Sequence, residues 1–350
     1  MRKLASIQRI IDVQPIPGAD AIEVCSVLGW KVVTRKGEFK PGILCVYIEI
    51  DSLLPRAPWN EFLWKKGDED KPVYRLRTIK LRGQISQGLV LPISVLDGKK
   101  FPTDTRENPI YPRKEGMNVS AMLGITKYEP PIPAQLAGLV KGQFPCFIPK
   151  TDETRIQAAP EVLKELNGKM VYASVKMDGS SGTFYFNRGE FGVCSRNLEF
   201  KLEDNNNTFI KLAIQYDLEN KMKALGKNIA IQGEVCGEGI QKNRLCLKGH
   251  ELFVFNVYDI DKGAYLDYKD AFDIVVKLGL KSVPIMDTFA IDETFSVEKL
   301  LEMAKGNYPG TSNPREGIVI RTVNESYSAS LKGRMSFKVI NNEFLMKGGD

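Results

Sequence analysis

The stretch "SVKMDGSSG", residues 174–182, places a lysine and an aspartate in a turn-prone segment at the end of the apolar run "MVYASV". A lysine amine acts as a nucleophile only after it loses a proton, which costs roughly 4.6 kcal/mol at neutral pH from an ordinary pKa of about 10.4. Burial, neighbouring cations or a metal ion can lower that cost. Lys176 is therefore either a nucleophile or a solvated lysine at a strand end, and this segment alone does not decide.

Five later segments carry residue types that suit nucleotide chemistry, in the order "SRN", "QGEVCGEGIQ", "FVFNVYDID", "REGIVIR" and "SFKVIN". Their candidate residues are Arg196, Glu234, Phe255, Glu316 and Lys338. Positioned cations and metal-binding carboxylates account for most of the catalysis in phosphoryl transfer. Each residue also has an ordinary explanation: a loop ion pair for the arginine, a surface position for the carboxylates and lysine, and a buried strand for the phenylalanine.

In this order the segments resemble the motifs of the covalent nucleotidyltransferases, the superfamily of polynucleotide ligases and messenger-RNA capping enzymes. The pattern is most similar to ATP-dependent RNA ligases with an N-terminal OB-like module, which "GWKVVTRKGEFKPGILCVYIEIDSLLP" and "RLRTIKLRGQISQGLVLP" resemble. The resemblance implies that Lys176 attacks the α-phosphate of ATP and that AMP passes to the 5′-phosphate of an RNA end. A 3′-hydroxyl then displaces AMP, and RNA repair is the expected role.

The resemblance also implies roles for individual residues. Lys176, Lys338 and Arg196 would be catalytic. The nucleotide would contact Val175, Lys176, Asp178, Arg196, Glu234, Phe255, Glu316 and Lys338. Asp178, Glu234 and Glu316 would hold Mg²⁺ or Mn²⁺, largely through water, since magnesium keeps several waters when proteins bind it. Phe255 would stack on the purine, with Val319 or Ile318 as the opposite wall.

One position departs from the family pattern. The last motif usually offers two lysines as Lys-x-Lys, whereas this sequence has Ile340 in the second place. Lys338 would then hold the α-phosphate alone, or Lys332 or Arg334 would help it. The departure affects how the phosphate is bound and leaves the reaction class unchanged.

Hydrophobic periodicity predicts an α+β protein with two domains. Residues 1–97 contain short β-rich runs separated by turn residues, which favours an all-β OB-like barrel. Residues 98–149 are rich in proline, glycine and basic residues and are expected to be a connector. Residues 150–350 mix strands and helices without βαβ alternation, which favours an α+β domain of antiparallel sheets. The resemblance implies that this is the nucleotidyltransferase domain. The segment "NTFIKLAIQYDLENKMKALG" predicts one helix that ends at Gly226.

The segment "YRLRTIKLRG" carries four cations, Arg75, Arg77, Lys80 and Arg82, in two pairs at period two. On a single strand each pair would point to one face. Such a face suits a phosphate backbone or the leaving pyrophosphate. An evenly solvated strand face is the alternative.

Composition narrows the protein class. The net charge of +6 suits a polyanionic partner, and the six cysteines contain no Cys-x-x-Cys pair. His250 is the only histidine, which argues against a zinc site and against a Ser-His-Asp triad. No apolar run is long enough for a membrane helix, and the N-terminal segment is too polar for a signal peptide. A cytoplasmic or nuclear monomer that binds RNA ends is expected, with protein partners unidentified.

Two alternatives stay open. The same lysine chemistry serves DNA ligases and GTP-dependent RNA capping enzymes, although the 12 residues after Lys338 leave no room for their C-terminal OB domain. The chain could also be a non-catalytic OB-type nucleic-acid-binding protein, which would bind RNA but form no lysine adduct. The choice of RNA substrate is not fixed by the sequence.

Overall fold

The structure is a computed structural model that describes residues 3–68, 70–107, 109, 111–128, 139–204 and 206–347. These residues divide into two compact units. The N-terminal unit contains the described residues up to 128 together with residues 157–160, and the C-terminal unit contains residues 139–156 and the described residues from 161 to 347. Residues 129–138 of the expected connector lie outside the described residues.

The N-terminal unit contains ten strands among its described residues. They are β1 (Ala5–Pro15), β2 (Ile22–Val27), β3 (Trp30–Arg35), β4 (Leu44–Ile48), β5 (Ser52–Pro55), β6 (Val73–Arg75), β7 (Ile79–Leu81), β8 (Gln84–Ser86), β9 (Leu89–Pro92) and β10 (Thr126–Lys127). A five-stranded sheet has the order β3-β2-β1-β4-β9, a three-stranded sheet the order β10-β5-β6, and β7 and β8 form a hairpin. Two 3-10 helices cover Pro58–Leu63 and Ile93–Leu96. The predicted all-β module is confirmed.

The core of this unit extends beyond residue 97. Ile7, Val46 and Leu54 of the strands pack together with Val119 and Leu123, which come from the segment that was expected to be a connector. The amide of Val119 also donates to the carbonyl of Ala5 at 2.9 Å. Residues 98–128 therefore contribute apolar side chains that the strands alone do not supply.

The basic segment does not form the single strand that its period predicts. β6 ends at Arg75 and β7 begins at Ile79, so Arg75 and Lys80 lie on different strands and Arg77 lies between the strands. Arg82 has φ 47° and Gly83 has φ 85°, and together they form the two-residue turn between β7 and β8. This turn pairs the second half of the segment with β8, whereas the first half pairs with β5, so the predicted continuous strand is wrong.

The C-terminal unit contains the remaining strands and all six α-helices of the described chain. The strands are β11 (Val140–Gln143), β12 (Thr154–Arg155), β13 (Met170–Lys176), β14 (Ser180–Asn187), β15 (Glu190–Ser195), β16 (Leu198–Phe200), β17 (Ile229–Gly237), β18 (His250–Asp259), β19 (Ala264–Tyr265), β20 (Lys281–Ser282), β21 (Ile285–Ala290), β22 (Gly317–Thr322), β23 (Tyr327–Ser328), β24 (Gly333–Arg334) and β25 (Ser336–Ile340). The helices are α1 (Val162–Leu166), α2 (Thr208–Gln215), α3 (Leu218–Leu225), α4 (Tyr268–Leu278), α5 (Val297–Ala304) and α6 (Asn342–Met346). A 3-10 helix at Ile156–Ala158 includes residues assigned to both units.

Two sheets form the body of this unit. The larger has the order β11-β16-β15-β14-β17-β18-β19, with β20 pairing β18, and the smaller has the order β12-β25-β22-β13-β21. Pairing is antiparallel except between β12 and β25 and between β18 and β20. Helices α2, α3 and α4 pack on the larger sheet, and α1 and α5 pack on the smaller. The predicted α+β class with antiparallel sheets is confirmed.

The one helix predicted after residue 206 is two helices in the structure. Asn207 caps α2 by accepting the amide of Phe209 at 2.9 Å. Asp217, with φ 52°, separates α2 from α3, and Gly226 ends α3 in the left-handed conformation. Among the described residues, no helix has the length and apolar character needed to span a membrane.

Candidate active site

Lys176 lies where the chain leaves one sheet and enters the other. It is the last residue of β13 in the smaller sheet, and Ser180 begins β14 in the larger sheet. The crossover Met177-Asp178-Gly179 passes close to β17, because a Cβ on Gly179 would lie 2.4 Å from the carbonyl oxygen of Val235. Glycine is therefore required here, and its absence of a side chain lets the lysine segment approach the strand that carries Glu234.

Strand alternation explains which side of the smaller sheet the lysines occupy. Val171 and Ala173 of β13 belong to the core under α1 and α5. Lys176 is an odd number of residues from Ala173 and so faces the opposite side. Lys338 of β25 pairs with Val319 of β22, and its neighbours in the strand also belong to that core. Both lysines therefore point away from the helices, on one face of one sheet.

Glu316 directly contacts the candidate nucleophile. The Nζ of Lys176 donates a hydrogen bond to Oε2 of Glu316 at 2.8 Å, with both side chains about one-fifth exposed. Glu316 precedes β22, and Gly317 pairs with Lys176 across the sheet. A Cβ on Gly317, which has φ 151°, would lie 2.1 Å from the carbonyl oxygen of Val339. Lys176 is thus held in an ion pair, in contrast to the solvated lysine that was the alternative.

Asp178 is held by an arginine that the motif analysis missed. The Nε of Arg244 donates to Oδ2 of Asp178 at 3.1 Å, and the two side chains are 8% and 14% exposed. The Arg244 guanidinium lies 4.5 Å from the ring centroid of Phe344 in α6. Asn313 donates to the main-chain carbonyl of Arg244 at 2.8 Å. No local pattern marks Arg244, which follows Asp178 by 66 residues.

Glu234 faces the site from β17. Glu234 lies between two neighbouring strands, pairing with Ser181 of β14 on one side and Phe253 of β18 on the other. Within the described part of the chain, the Glu234 carboxylate makes no hydrogen bond or ion pair. Its negative charge is therefore less compensated than that of Glu316 or Asp178.

Lys338 and Arg196 share one carboxylate oxygen. The Nζ of Lys338 lies 3.8 Å from Oδ1 of Asp152, and Nη2 of Arg196 lies 3.5 Å from the same oxygen. Asp152 precedes β12, which places Arg155 beside Lys338 in a parallel pair. The structure therefore brings together two cations that the sequence separates by 142 positions, and Asp152 is a neighbour that the sequence reasoning did not identify.

Phe255 is the extra residue of a β-bulge. Gln232 pairs with Asn256 and Gly233 pairs with Val254, so Phe255 has no partner on β17. Phe253 and Phe255 both face the small apolar cluster that also contains Val175, and the bulge returns Val257 to the helix-covered face that Val254 occupies. This cluster joins residues of both sheets. Of the two residues expected as the opposite wall, Val319 shares the face of Lys338, whereas Ile318 lies in the core under α5.

Ile340 fills the place of the second lysine with apolar packing. It is 3% exposed and contacts Phe344 and Leu345 of α6. Arg334, one of the two expected substitutes, binds Glu325 and donates to Oδ1 of Asn256 at 2.6 Å. The structure therefore holds Arg334 in a bridge to β18 instead of releasing it towards a phosphate. Lys332, the other, lies in the turn between β23 and β24.

The charges of the cluster shift several pKa values. Burial lowers the pKa of Lys176, but attraction to Glu316, Glu234 and Asp178 outweighs it, so the pKa is above its usual value. Burial raises the pKa of Glu234 to about 7, and burial with repulsion from Glu316 raises that of Asp178. Burial, followed by repulsion from Arg155 and Lys176, lowers the pKa of Lys338 to about 8. Without ligands, Lys176 is therefore an ammonium ion.

The carboxylates fit a hydrated cation better than a directly ligated one. Among the described residues, no three histidine, cysteine, aspartate or glutamate side chains converge closely enough to ligate one metal ion. Asp178, Glu234 and Glu316 nevertheless all attract Lys176, and the raised pKa of Glu234 shows buried negative charge that a cation would relieve. Magnesium usually keeps most of its waters, so three carboxylates around those waters suit it.

The remaining predicted contacts lie in the N-terminal unit. The Nη2 of Arg75 binds Oδ1 of Asp51 at 2.9 Å, and its guanidinium lies 3.8 Å from the ring centroid of Tyr128. Arg77, Lys80 and Arg82 are exposed. Arg75 is thus held by its own unit, whereas the other three cations present their charge to solvent.

Comparison with known proteins agrees with this arrangement. An OB-fold domain family matches residues 4–93, and the RNA ligase family matches residues 169–340. No curated protein matches the chain. Naegleria gruberi RNA ligase with PPi is 38% identical over 100% of both chains, with a TM-score of 0.85. An alanine mutant of that ligase with ATP and Mn is 37% identical over 100% of both chains, and another with AMP and Mn is 37% identical over 99% of both, each with a TM-score of 0.85. Because this likeness runs the full length of both chains, the chain belongs to the RNA ligase family and is an RNA ligase with an N-terminal OB-fold domain.

Proposed function

We propose that the protein joins RNA 3′-hydroxyl and 5′-phosphate ends through a lysyl-AMP intermediate on Lys176, with ATP as the nucleotide, in RNA repair. The observation that carries this proposal is the position of Lys176, with its Nζ 2.8 Å from Glu316 at the crossover between the two sheets. Support also comes from the related Naegleria gruberi ligase, whose structures contain ATP or AMP with Mn.

In the first step, the Lys176 amine forms a bond to the α-phosphorus of ATP and pyrophosphate leaves. The amine must first lose the proton that Glu316, Glu234 and Asp178 stabilise. A divalent cation, when bound beside these carboxylates, supplies positive charge to the phosphates and weakens the attraction that holds the ammonium ion. Glu316 is also placed to orient Nζ, because it already accepts a hydrogen bond from it.

Lys338 and Arg196 are the proposed phosphate contacts. A phosphate oxygen that replaces Oδ1 of Asp152 would meet both cations, which now lie 3.8 and 3.5 Å from that oxygen. The depressed pKa of Lys338 would rise again beside a phosphate, because an anion favours the ammonium form. Phe255 would stack on the purine from the bulge of β18.

The exposed cations Arg77, Lys80 and Arg82 are the proposed contacts of the N-terminal unit with an RNA backbone or with pyrophosphate. Lys80 and Arg82 lie on or beside the β7–β8 hairpin, whose first strand is exposed along its length. Replacing Arg77, Lys80 and Arg82 together by glutamine should weaken RNA binding and reduce its salt dependence. Unchanged binding at low and high salt would remove this surface from the proposal.

The experiment that tests the proposed reaction is adduct formation with α-labelled ATP and Mg²⁺ or Mn²⁺. We expect label on the wild-type protein after denaturing electrophoresis and none on Lys176→Ala. Lys176→Arg is the matched control, because it keeps a cation beside Glu316 but cannot supply a free amine at neutral pH. An adduct on either variant, or none on the wild type, would refute the assignment.

Two comparisons separate the proposal from its alternatives. Labelling by GTP in place of ATP would favour RNA capping chemistry. Sealing of a DNA nick in preference to RNA ends carrying 3′-hydroxyl and 5′-phosphate groups would favour a DNA ligase. Binding of RNA without any adduct would favour a non-catalytic nucleic-acid-binding protein.

A further inference from the structure

Tyr308 links the main chains that carry the lysine and its glutamate. Its hydroxyl donates to the carbonyl oxygen of Lys176 at 3.0 Å and accepts the amide of Glu316 at 3.1 Å. A tyrosine hydroxyl has one proton to donate and lone pairs to accept, so both bonds can form together. With the 2.8 Å bond between Lys176 and Glu316, these contacts close a ring around the candidate nucleophile.

The ring of Tyr308 is fixed by its surroundings. The residue is 2% exposed and packs with Val175, Met177 and Cys236 in the cluster that joins both sheets. Burial holds the pKa of Tyr308 well above its usual value, so the hydroxyl keeps the proton that it donates to Lys176. The hydroxyl therefore has one position and one pair of partners.

Tyr308 belongs to the segment of residues 306–316, between α5 and β22, which is braced at several points. Asn307 and Pro314 form an isolated antiparallel bridge, and the Tyr308 amide donates to the carbonyl of Asn313 at 3.0 Å. The Arg315 side chain donates to the carbonyls of Met303 and Ala304, at 2.8 and 3.1 Å. These contacts hold the segment in place, and with it the main chain of Glu316.

We infer that Tyr308 is a positioning residue for the adenylylation of Lys176, because its hydroxyl fixes the main chain of the nucleophile relative to that of Glu316. Its hydroxyl bonds to the main chain and not to the lysine amine, so it acts through its two main-chain bonds. The inference rests on the proposed role of Lys176. Nothing in the local sequence "GNYPGTSNPREG" marks the tyrosine, which follows Lys176 by 132 residues.

The test removes one oxygen atom. In single-turnover adenylylation with labelled ATP, we expect Tyr308→Phe to lower the rate constant at saturating ATP by about ten-fold or more, because small displacements of reacting groups have large kinetic effects. The ATP concentration for half-maximal rate should change less than about two-fold, since the proposed phosphate and purine contacts stay. The first-order rate constant does not depend on the fraction that folds, whereas the amplitude does.

Tyr185→Phe is the matched control. Tyr185 is also buried, at 3% exposure, and its hydroxyl donates to Glu199 at 2.6 Å away from the lysine. The Tyr185→Phe variant should lose about as much stability as Tyr308→Phe, but its adenylylation rate constant should equal that of the wild type. If Tyr308 had a purely structural role, both variants would show a reduced amplitude of adenylylation and a rate constant equal to that of the wild type. That result would overturn the inference about Tyr308 and leave the proposed function standing. An adduct absent from the wild type would overturn the proposed function, and this inference with it.

Discussion

Glu234 is expected to destabilise the protein at neutral pH and above, so Glu234→Gln should raise stability while abolishing adduct formation. Burial raises the pKa of this carboxyl from 4.5 to about 7. A carboxyl whose folded pKa exceeds its unfolded pKa favours unfolding once it ionises. The cost is absent below the unfolded value, grows between about pH 4.5 and 7, and is complete above the folded value.

The magnitude follows from the shift. A change from 4.5 to about 7 is 2.5 units, which corresponds to about 3 kcal/mol when the group is fully ionised. At about pH 5 the same two pKa values give a cost below about 1 kcal/mol. The stability difference between Glu234→Gln and wild type should therefore grow by about 2.5 kcal/mol between about pH 5 and pH 8. Any constant effect of the glutamine cancels in this comparison.

Urea unfolding without divalent cations, followed by circular dichroism at the helical minimum, measures this difference. All six helices of the described chain belong to the C-terminal unit, so the helical signal follows the unit that contains Glu234. The three tryptophans, Trp30, Trp59 and Trp64, lie in the N-terminal unit, and their fluorescence should show no such pH-dependent difference. A stability difference that is flat or decreasing from about pH 5 to pH 8 would refute the reasoning.

Three further perturbations test the charges around Lys176. ATP binding by the wild type should weaken as the pH rises through about 8, where Lys338 loses its proton, whereas binding by Lys338→Arg should stay constant in titration calorimetry. Arg244→Ala should cost about 3–5 kcal/mol in urea unfolding, and less when combined with Asp178→Ala, because the single change leaves a buried carboxylate unpaired. Asp152→Asn should tighten ATP binding by roughly two- to five-fold at low salt, because Asp152 no longer competes with phosphate for the two cations, and an unchanged affinity would contradict this.

The larger elements and their class follow from local patterns. Alternation in "MVYASVK" predicts a strand with Val171 and Ala173 on one face and the lysine on the other, and the structure has this arrangement. Each motif residue lies on or beside a strand, and the strands bring two of these side chains, Lys176 and Glu316, into contact. Periodicity could do this because buried strands carry strong apolar signals.

Local sequence patterns gave wrong or incomplete predictions where a single backbone angle sets an element boundary, or where a contact between distant residues brings a side chain to the site. One helix became α2 and α3 because Asp217 adopts φ 52°, and the basic strand became two strands because regular pairing is interrupted at residues 76–78. Arg244 and Tyr308 reach the site through side-chain bonds to residues far away in the sequence. Such contacts depend on how the two sheets of the C-terminal unit pack, and the residues next to Arg244 and Tyr308 in the sequence do not indicate that packing.

The bulge in β18 also bears on how this protein can change in evolution. Because Phe255 pairs with nothing on β17, deleting it would join Val254 to Asn256 in regular pairing. Leu252, Val254 and Val257 would keep their places against the helices, since the deletion restores strict alternation along the strand. One lost codon would thus remove the aromatic side chain that is proposed to stack on the purine and would spare the hydrophobic core. At this point in the chain, heritable loss of the proposed purine stack and loss of the fold are separate events.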